Sequence, residues 1–199
     1  SLLLGIEEGA GRTKNIVENF RCFARLDEEG YKRTDLRESI NASINLLKNK
    51  AGNQIVFQTN LPIELIADCQ PAKINQVFFH LLHNAVQAIL QRTEDAQGHI
   101  EIDASNIQES VQIKIKDNGV GISPEIESKV FDPFFTTRDV GEGKGLGLSI
   151  AYGIIEEHGG NITFNSETGE HSFTEFLVSV PIEQKIESNG VLTEKLVDV

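Results

Sequence analysis

The chain has 199 residues and a mass of 22.0 kDa, which is room for one ordinary globular domain with an appendage, or for two small domains. Hydrophobic residues make up 39% and charged residues 24%, close to globular averages, which excludes wholesale disorder. The formal charge of -12 argues against nucleic acid or an anionic membrane surface as a partner, but leaves room for a small anion held by a few backbone N–H groups.

Residues 2–26 are predicted to form one helix. Ile6, Gly9, Thr13, Ile16, Phe20 and Phe23 recur at alternating three- and four-residue steps, a seam that wants a partner helix. Asp27, Glu28, Glu29 and Gly30 break that pattern as a polar linker. A second amphipathic helix over 36–47 carries Leu36, Ile40, Ile44 and Leu47 and closes at 49–53. Ile55–Gln58 alternates as a short strand, ended by Pro62.

A long helix runs from Pro71 to Gln91, with Ile74, Val77, Phe78, Leu81, Leu82, Ala85, Ala88 and Ile89 on its apolar face. Two alternating strands follow, 100–105 and 111–116. Residues 119–147 are rich in glycine and short of periodic hydrophobics. A helix over 148–158 stops at Gly159-Gly160, and strands over 161–165 and 173–180 finish at Pro181. The sum is an α+β fold: a mostly antiparallel sheet with helices on one face, in two layers, preceded by a helical arm. The predicted division is an arm over 1–30, the main domain over 31–182 and a tail over 183–199.

Cys22 and Cys69 lack metal-ligand spacing and make no disulfide framework, so they read as thiols in a reducing compartment. No apolar run approaches the ~20 residues that span a bilayer. The chain has no Met, which reads as a piece of a longer protein; this portion is expected to be cytoplasmic, with any membrane segment elsewhere.

Three segments carry chemistry. Asp117-Asn118-Gly119-Val120-Gly121 closes a strand with an acid and two glycines, a pattern that suits both a surface turn and a backbone brought close to a ligand, where the carboxylate can accept from an amine. Gly141-Glu142-Gly143-Lys144-Gly145-Leu146-Gly147-Leu148 opens a helix, so its N–H groups can point at phosphate oxygens and Lys144 can offset their charge. On the long helix His80, Asn84 and Gln87 share one face, and a neutral amide oxygen is a serviceable magnesium ligand when phosphates complete the shell.

His83-Asn84-Ala85-Val86-Gln87-Ala88, then 117–121, then Phe131-Asp132-Pro133-Phe134-Phe135-Thr136-Thr137, then Gly143-Lys144-Gly145-Leu146-Gly147-Leu148 follow one another in that order. This order resembles the N, first-glycine, F and second-glycine boxes of the ATP-binding domain of sensor histidine kinases. Gly11-Arg12-Thr13-Lys14-Asn15-Ile16-Val17 and Phe23-Ala24-Arg25 resemble the second helix of the dimerisation hairpin in those kinases.

The resemblance implies the Bergerat fold of the GHKL group, shared with DNA gyrase and Hsp90, with ATP and Mg2+ as ligands. It makes Asn84 the magnesium ligand and Asp117 the reader of the adenine amino group, with Gly119 and Gly121 shaping the pocket. Residues 122–146, from Ile122 to Leu146, become a lid anchored by Phe131, Phe134 and Phe135. Gly145, Gly147 and Leu148 meet the phosphates, and Thr174 helps to hold the aspartate. Gln87, Thr137, Arg138 and Lys144 complete the expected nucleotide contacts, and Asn84, His80 and Lys144 are the candidate catalytic residues.

None of His80, His83, His99, His158 or His171 has the family's acceptor setting, an acidic neighbour with a proline a few residues on. The phosphoryl acceptor is therefore expected on a helix outside this chain, a response-regulator receiver domain is the next partner, and a homodimer forms through the N-terminal helix. His158-Gly159-Gly160 reads as a structural helix end. His80 stands where many kinases have Asn and the hydrolysing relatives have a glutamate base, so it reads as a base or as a supporting group. Two further readings stay open: an ATPase or serine kinase of the same fold, and a non-enzymatic module gated by ATP.

Overall fold

The computed structural model describes residues 30–92, 97–137 and 144–183. The predicted arm helix over 2–26, most of the linker after it, Arg138 and the tail from 184 onward lie outside the described residues.

The elements in chain order are β1 (Lys32–Asp35), α1 (Leu36–Ala51), β2 (Ile55–Asn60), β3 (Ile66–Cys69), α2 (Pro71–Leu90), β4 (Gly98–Ile107), β5 (Ser110–Asp117), a single 3-10 turn (Glu127–Lys129), α3 (Gly147–Glu157), β6 (Asn161–Glu167) and β7 (Phe173–Pro181). Five strands form one sheet in the order β2-β4-β5-β7-β6, and β1 pairs with β3 in a separate antiparallel ribbon. Only β2 and β4 run parallel in the larger sheet. That is the expected two-layer α+β fold.

The alternation of β5 explains which face the helices cover. Val111, Ile113, Ile115 and Asp117 are buried, while Ser110, Gln112, Lys114 and Lys116 between them are not. Inward residues of β4 and β7 join them, and α2 supplies Ile74, Val77, Phe78, Leu81, Leu82, Ala85, Val86 and Ile89 from above. Each such fully buried Leu, Ile or Phe contributes roughly 1.5–3 kcal/mol relative to exposure.

The helix ends are set locally. Asp35 is the N-cap of α1, its carboxylate accepting the Arg37 N–H at 3.0 Å, and Gly52 ends that helix with φ +58°. Pro71 opens α2 without a side-chain cap. The cap residue Gln70 instead gives its N–H to Nε2 of His158, 3.0 Å away, at the end of α3. His158 is fully buried, and its Nδ1 lies 2.7 Å from the Ile154 carbonyl oxygen. Because Nε2 accepts, the proton sits on Nδ1 and is donated to Ile154. The expected structural role of His158 is thus a latch between two helix ends.

The sequence pattern predicts neither β1 nor β3. Each has four residues, and Lys32-Arg33-Thr34-Asp35 carries no hydrophobic alternation. Their pairing is fixed by tertiary contacts instead: the Leu36 N–H donates to the Leu65 carbonyl oxygen, and the Asp68 N–H to that of Ile182. Ile182, placed with the core in the sequence reading, therefore closes the domain, its own N–H held by the Glu109 carbonyl oxygen.

Candidate functional site: a nucleotide cavity

A cavity of about 510 Å³ opens between α2, the loop after β5 and the first turn of α3, within the size range of small-molecule sites. Asp117 is at its floor. The carboxylate is 3% exposed because β5 turns its last side chain inward, one rung beyond Ile115. Oδ1 accepts the Gly119 N–H at 2.8 Å. Burial outweighs that bond and pushes the carboxyl up to about 7, from an ordinary 3.8.

The loop that carries Asp117 is held from three sides. Asn118 turns away from the cavity, its Oδ1 accepting the His99 N–H and its Nδ2 donating to the Gln97 carbonyl oxygen. The Val120 N–H bonds the Ala88 carbonyl oxygen on α2. The Ser172 hydroxyl donates to the Gly119 carbonyl oxygen at 2.6 Å. Gly121 has φ +76°, and a Cβ there would lie 2.1 Å from the Glu167 carbonyl oxygen, so no larger residue fits. Next to it, the Ile122 N–H donates to the Ser166 hydroxyl, which also lies 3.0 Å from the Thr174 hydroxyl. Thr174 is buried and directly opposite Asp117 in the β5–β7 register.

The other wall is built by α2 and α3. His80 and Asn84 line the cavity, with Phe79, His83, Ala88 and Gln91 beside them. The ring of His83 stacks on Phe79 at 5.6 Å. His80 sits against the first residue of α3: a Cβ on Gly147 would lie 3.1 Å from its Nδ1. Burial lowers the His80 pKa, so its ring is neutral at pH 7. Lys144, Gly145, Leu146 and Leu148 complete this side. Gly145, at φ +65°, allows the Phe134–Phe135 backbone to pass where a side chain would collide.

Of the residues singled out from sequence, Asn84, His80, Asp117, Gly121, Ile122, Thr137, Lys144, Gly145, Leu146, Gly147, Leu148 and Thr174 are brought together around the one cavity. Gly119 stands behind the wall, against Ala88. Phe131 belongs to an aromatic cluster with Tyr152, Phe164 and Phe176 and is not part of the cavity wall. Phe135 lines the cavity, whereas Phe134 is 73% exposed with φ +67°. Gln87 is not part of the wall. Gln91, the residue that caps α2 one turn further along, is, and so are His83 and Ala88; the helical repeat from Asn84 reaches Ala88 and Gln91 at four and seven residues.

Residues 69–184 match the family described as histidine kinase-, DNA gyrase B- and HSP90-like ATPases. The chain belongs to that family. It is the ATPase-type domain of sensor histidine kinases. The nitrogen regulation protein NtrY of Azorhizobium caulinodans is 33% identical over 158 residues, 78% of this chain and 20% of that protein. The sensor histidine kinase ZraS of Escherichia coli K12 is 34% identical over 181 residues, 88% of this chain and 37% of ZraS.

Among solved structures, the catalytic domain of histidine kinase ThkA superposes with a TM-score of 0.64 at 31% identity, covering 77% of this chain and 96% of that one. ThkA in complex with its response regulator protein TrrA superposes at 0.61 and 27% identity, covering 89% of this chain and 49% of that one. The chain thus spans about a fifth of NtrY and less than two fifths of ZraS. Among the described residues of this ATPase-type domain, no helix is long and apolar enough to cross a membrane.

Proposed function

We propose that the cavity binds ATP with a magnesium ion, and that the domain transfers the γ-phosphoryl group to a histidine on a helix beyond this chain, for onward transfer to an aspartate of a response-regulator receiver domain. The observation that carries the reading is Asp117: a buried carboxylate at the cavity floor with one oxygen held by a backbone N–H. Such a group suits an exocyclic amine, which gives the desolvated carboxylate a partner.

At the other end of the cavity, Gly147 starts α3 with its N–H groups and the helix dipole available to phosphate oxygens, and Lys144 adds a positive charge beside them. Asn84 offers one neutral oxygen, and the described residues include no group of three or more His, Cys, Asp or Glu able to hold a metal ion. A magnesium ion here would be held jointly by Asn84 and phosphate oxygens, with water. The chain's residues work by positioning and by neutralising charge, which is most of what phosphoryl transfer asks of a protein. The ThkA–TrrA structure supports a receiver domain as the partner. Residues 2–26, with their apolar seam, are read as one helix of a dimerisation hairpin, and this portion of the protein as cytoplasmic.

The test uses γ-labelled ATP with magnesium, the chain, and an added fragment that carries an acceptor helix and histidine. Acid-labile, base-stable label on the fragment supports the kinase reading. Release of inorganic phosphate instead supports a hydrolase in which His80, neutral at pH 7, takes a proton from water. Nucleotide binding with neither product supports a gated module. Asn84→Ala is expected to abolish the magnesium dependence of nucleotide binding while leaving metal-free affinity within about twofold, since only the metal-linked interaction is removed; full retention of that dependence refutes the assignment of Asn84.

A further inference from the structure

The segment that enters the domain is fastened to the far end of the helix whose first turn walls the cavity. Tyr31 directly precedes β1. Its hydroxyl donates to the carbonyl oxygen of Glu157, the last residue of α3, at 2.9 Å. Its ring lies over the His158 imidazole, with centroids 5.1 Å apart and planes inclined at 58°. The Glu157 carboxylate is ion-paired with Lys73 in the first turn of α2. His158 in turn accepts the N–H of Gln70. Four contacts, two from Tyr31 and two from the start of α2, therefore converge on the C-terminus of α3.

The carbonyls at a helix C-terminus have no partner within the helix. Gly159 and Gly160 satisfy those of Glu156 and Ile155, and Tyr31 satisfies that of Glu157. At the opposite end of the same helix, Gly147 abuts His80, and Leu146 and Leu148 wall the cavity. Eleven residues make a rod about 16 Å long. A displacement at one end of such a rod, packed along its length on α2, is felt at the other.

We propose that Tyr31 is a positioning residue that couples the entering segment to nucleotide affinity through α3. With the Tyr31 hydroxyl on the Glu157 carbonyl, α3 is seated and its first turn is in place for phosphate; with that contact withdrawn, α3 loosens and nucleotide is held less well. The inference rests on reading the cavity as an adenine-nucleotide site. Coupling of this kind is reciprocal: whatever the entering segment does to nucleotide affinity, bound nucleotide does to the Tyr31 contact. A movement upstream of residue 30 thereby acquires a route to the cavity that bypasses the cavity lining.

Tyr31→Phe in the full 199-residue chain removes only the hydroxyl. Calorimetric titration with ADP and magnesium is expected to show affinity lower by about two- to fivefold, the scale of one neutral hydrogen bond only partly transmitted, and amide exchange across residues 147–157 is expected to quicken. The chain has two tyrosines, so fluorotyrosine incorporated into the Tyr152→Phe chain reports on Tyr31 alone. Saturating ADP is expected to shift that fluorine resonance, although the nucleotide lies at the other end of α3. Unchanged ADP affinity in Tyr31→Phe, even with a lower unfolding midpoint, marks Tyr31 as a stabilising contact only and overturns the coupling, as does a resonance that ADP leaves in place. Failure of the unaltered chain to bind ADP is a different result: it overturns the reading of the cavity, and the coupling falls with it.

Discussion

Asp117→Asn separates the stability of the empty domain from its affinity for nucleotide. Burial raises the Asp117 carboxyl from 3.8 to about 7, so the folded state holds a proton there that the unfolded chain releases above pH 4. For an acid whose folded pKa is raised, stability is greatest below the unfolded value and is lost as pH rises toward the folded one. At about 1.4 kcal/mol per pH unit, the span from 3.8 to about 7 makes about 4 kcal/mol lost by pH 7. Asparagine has nearly the same shape, keeps an oxygen for the Gly119 N–H and carries no charge to desolvate.

The stability difference between Asp117→Asn and the unaltered chain is therefore expected to grow in favour of the variant between pH 4 and 7 and to level off above. Urea unfolding at half-unit pH steps measures it, and contributions from the histidines cancel in the difference. The same substitution sets an amide N–H2 where an amine donor is to be received. ADP affinity is expected to fall by about a hundredfold, the scale of a lost charge-assisted hydrogen bond with a donor left facing a donor. Stability curves that stay parallel from pH 4 to 7 refute the burial argument. Unaltered ADP affinity refutes the role of Asp117 in the cavity.

Other outcomes follow from the geometry. Gly121→Ala is expected to cost about 2–4 kcal/mol, since it meets the Glu167 carbonyl oxygen at 2.1 Å and strains a positive φ; thermal unfolding of the apo chain measures it, and a loss below about 0.5 kcal/mol, the scale of an ordinary surface change, contradicts the packing. His158, whose pKa is lowered by burial, stabilises the fold fully above its unfolded pKa of about 6.5 and loses that contribution as pH falls through the lowered folded value. Protonation removes the acceptor for the Gln70 N–H. His158→Ala is accordingly expected to cost about 3 kcal/mol at pH 7.5 and markedly less at pH 5; an equal cost at both pH values argues against the latch.

The parts of the fold legible in sequence are those where local pattern and tertiary burial agree. The long helix α2, with apolar residues on one side and Asn84 on the other, and the alternation of β4 and β5 required no knowledge of the rest of the chain. The ribbon of β1 and β3 has no such signal, because its strands are short and are defined by what they pair with. Within the site, glycines marked the loops, but the strand pattern ended at Lys116 and left Asp117 open between a surface turn and a ligand site; its inward position emerges only once β5 is extended by one residue. Which amides of α2 and its cap face the cavity was not legible, because that depends on how the helix lies across the sheet: Gln91 lines it and Gln87 does not. Asn118, in a common turn sequence, is a two-way staple to Gln97 and His99, a role visible only once β4 is in place.

The placement of Asp117 at the end of β5 has a consequence for which changes of length the chain tolerates. The residue is a core position by its place in the alternation and a ligand position by its chemistry, and the same inward turn accomplishes both. The hairpin around Gln108 and Glu109, at the other end of β4 and β5, lies outside that constraint, and surface turns absorb inserted residues readily. One residue added within β5 while its early pairing is kept brings Lys116 to the rung opposite Thr174 and reverses the faces of every position after the insertion. A charge then stands against the core, and the carboxylate points to solvent. The length of this strand is therefore as much a part of the binding site as the aspartate that ends it.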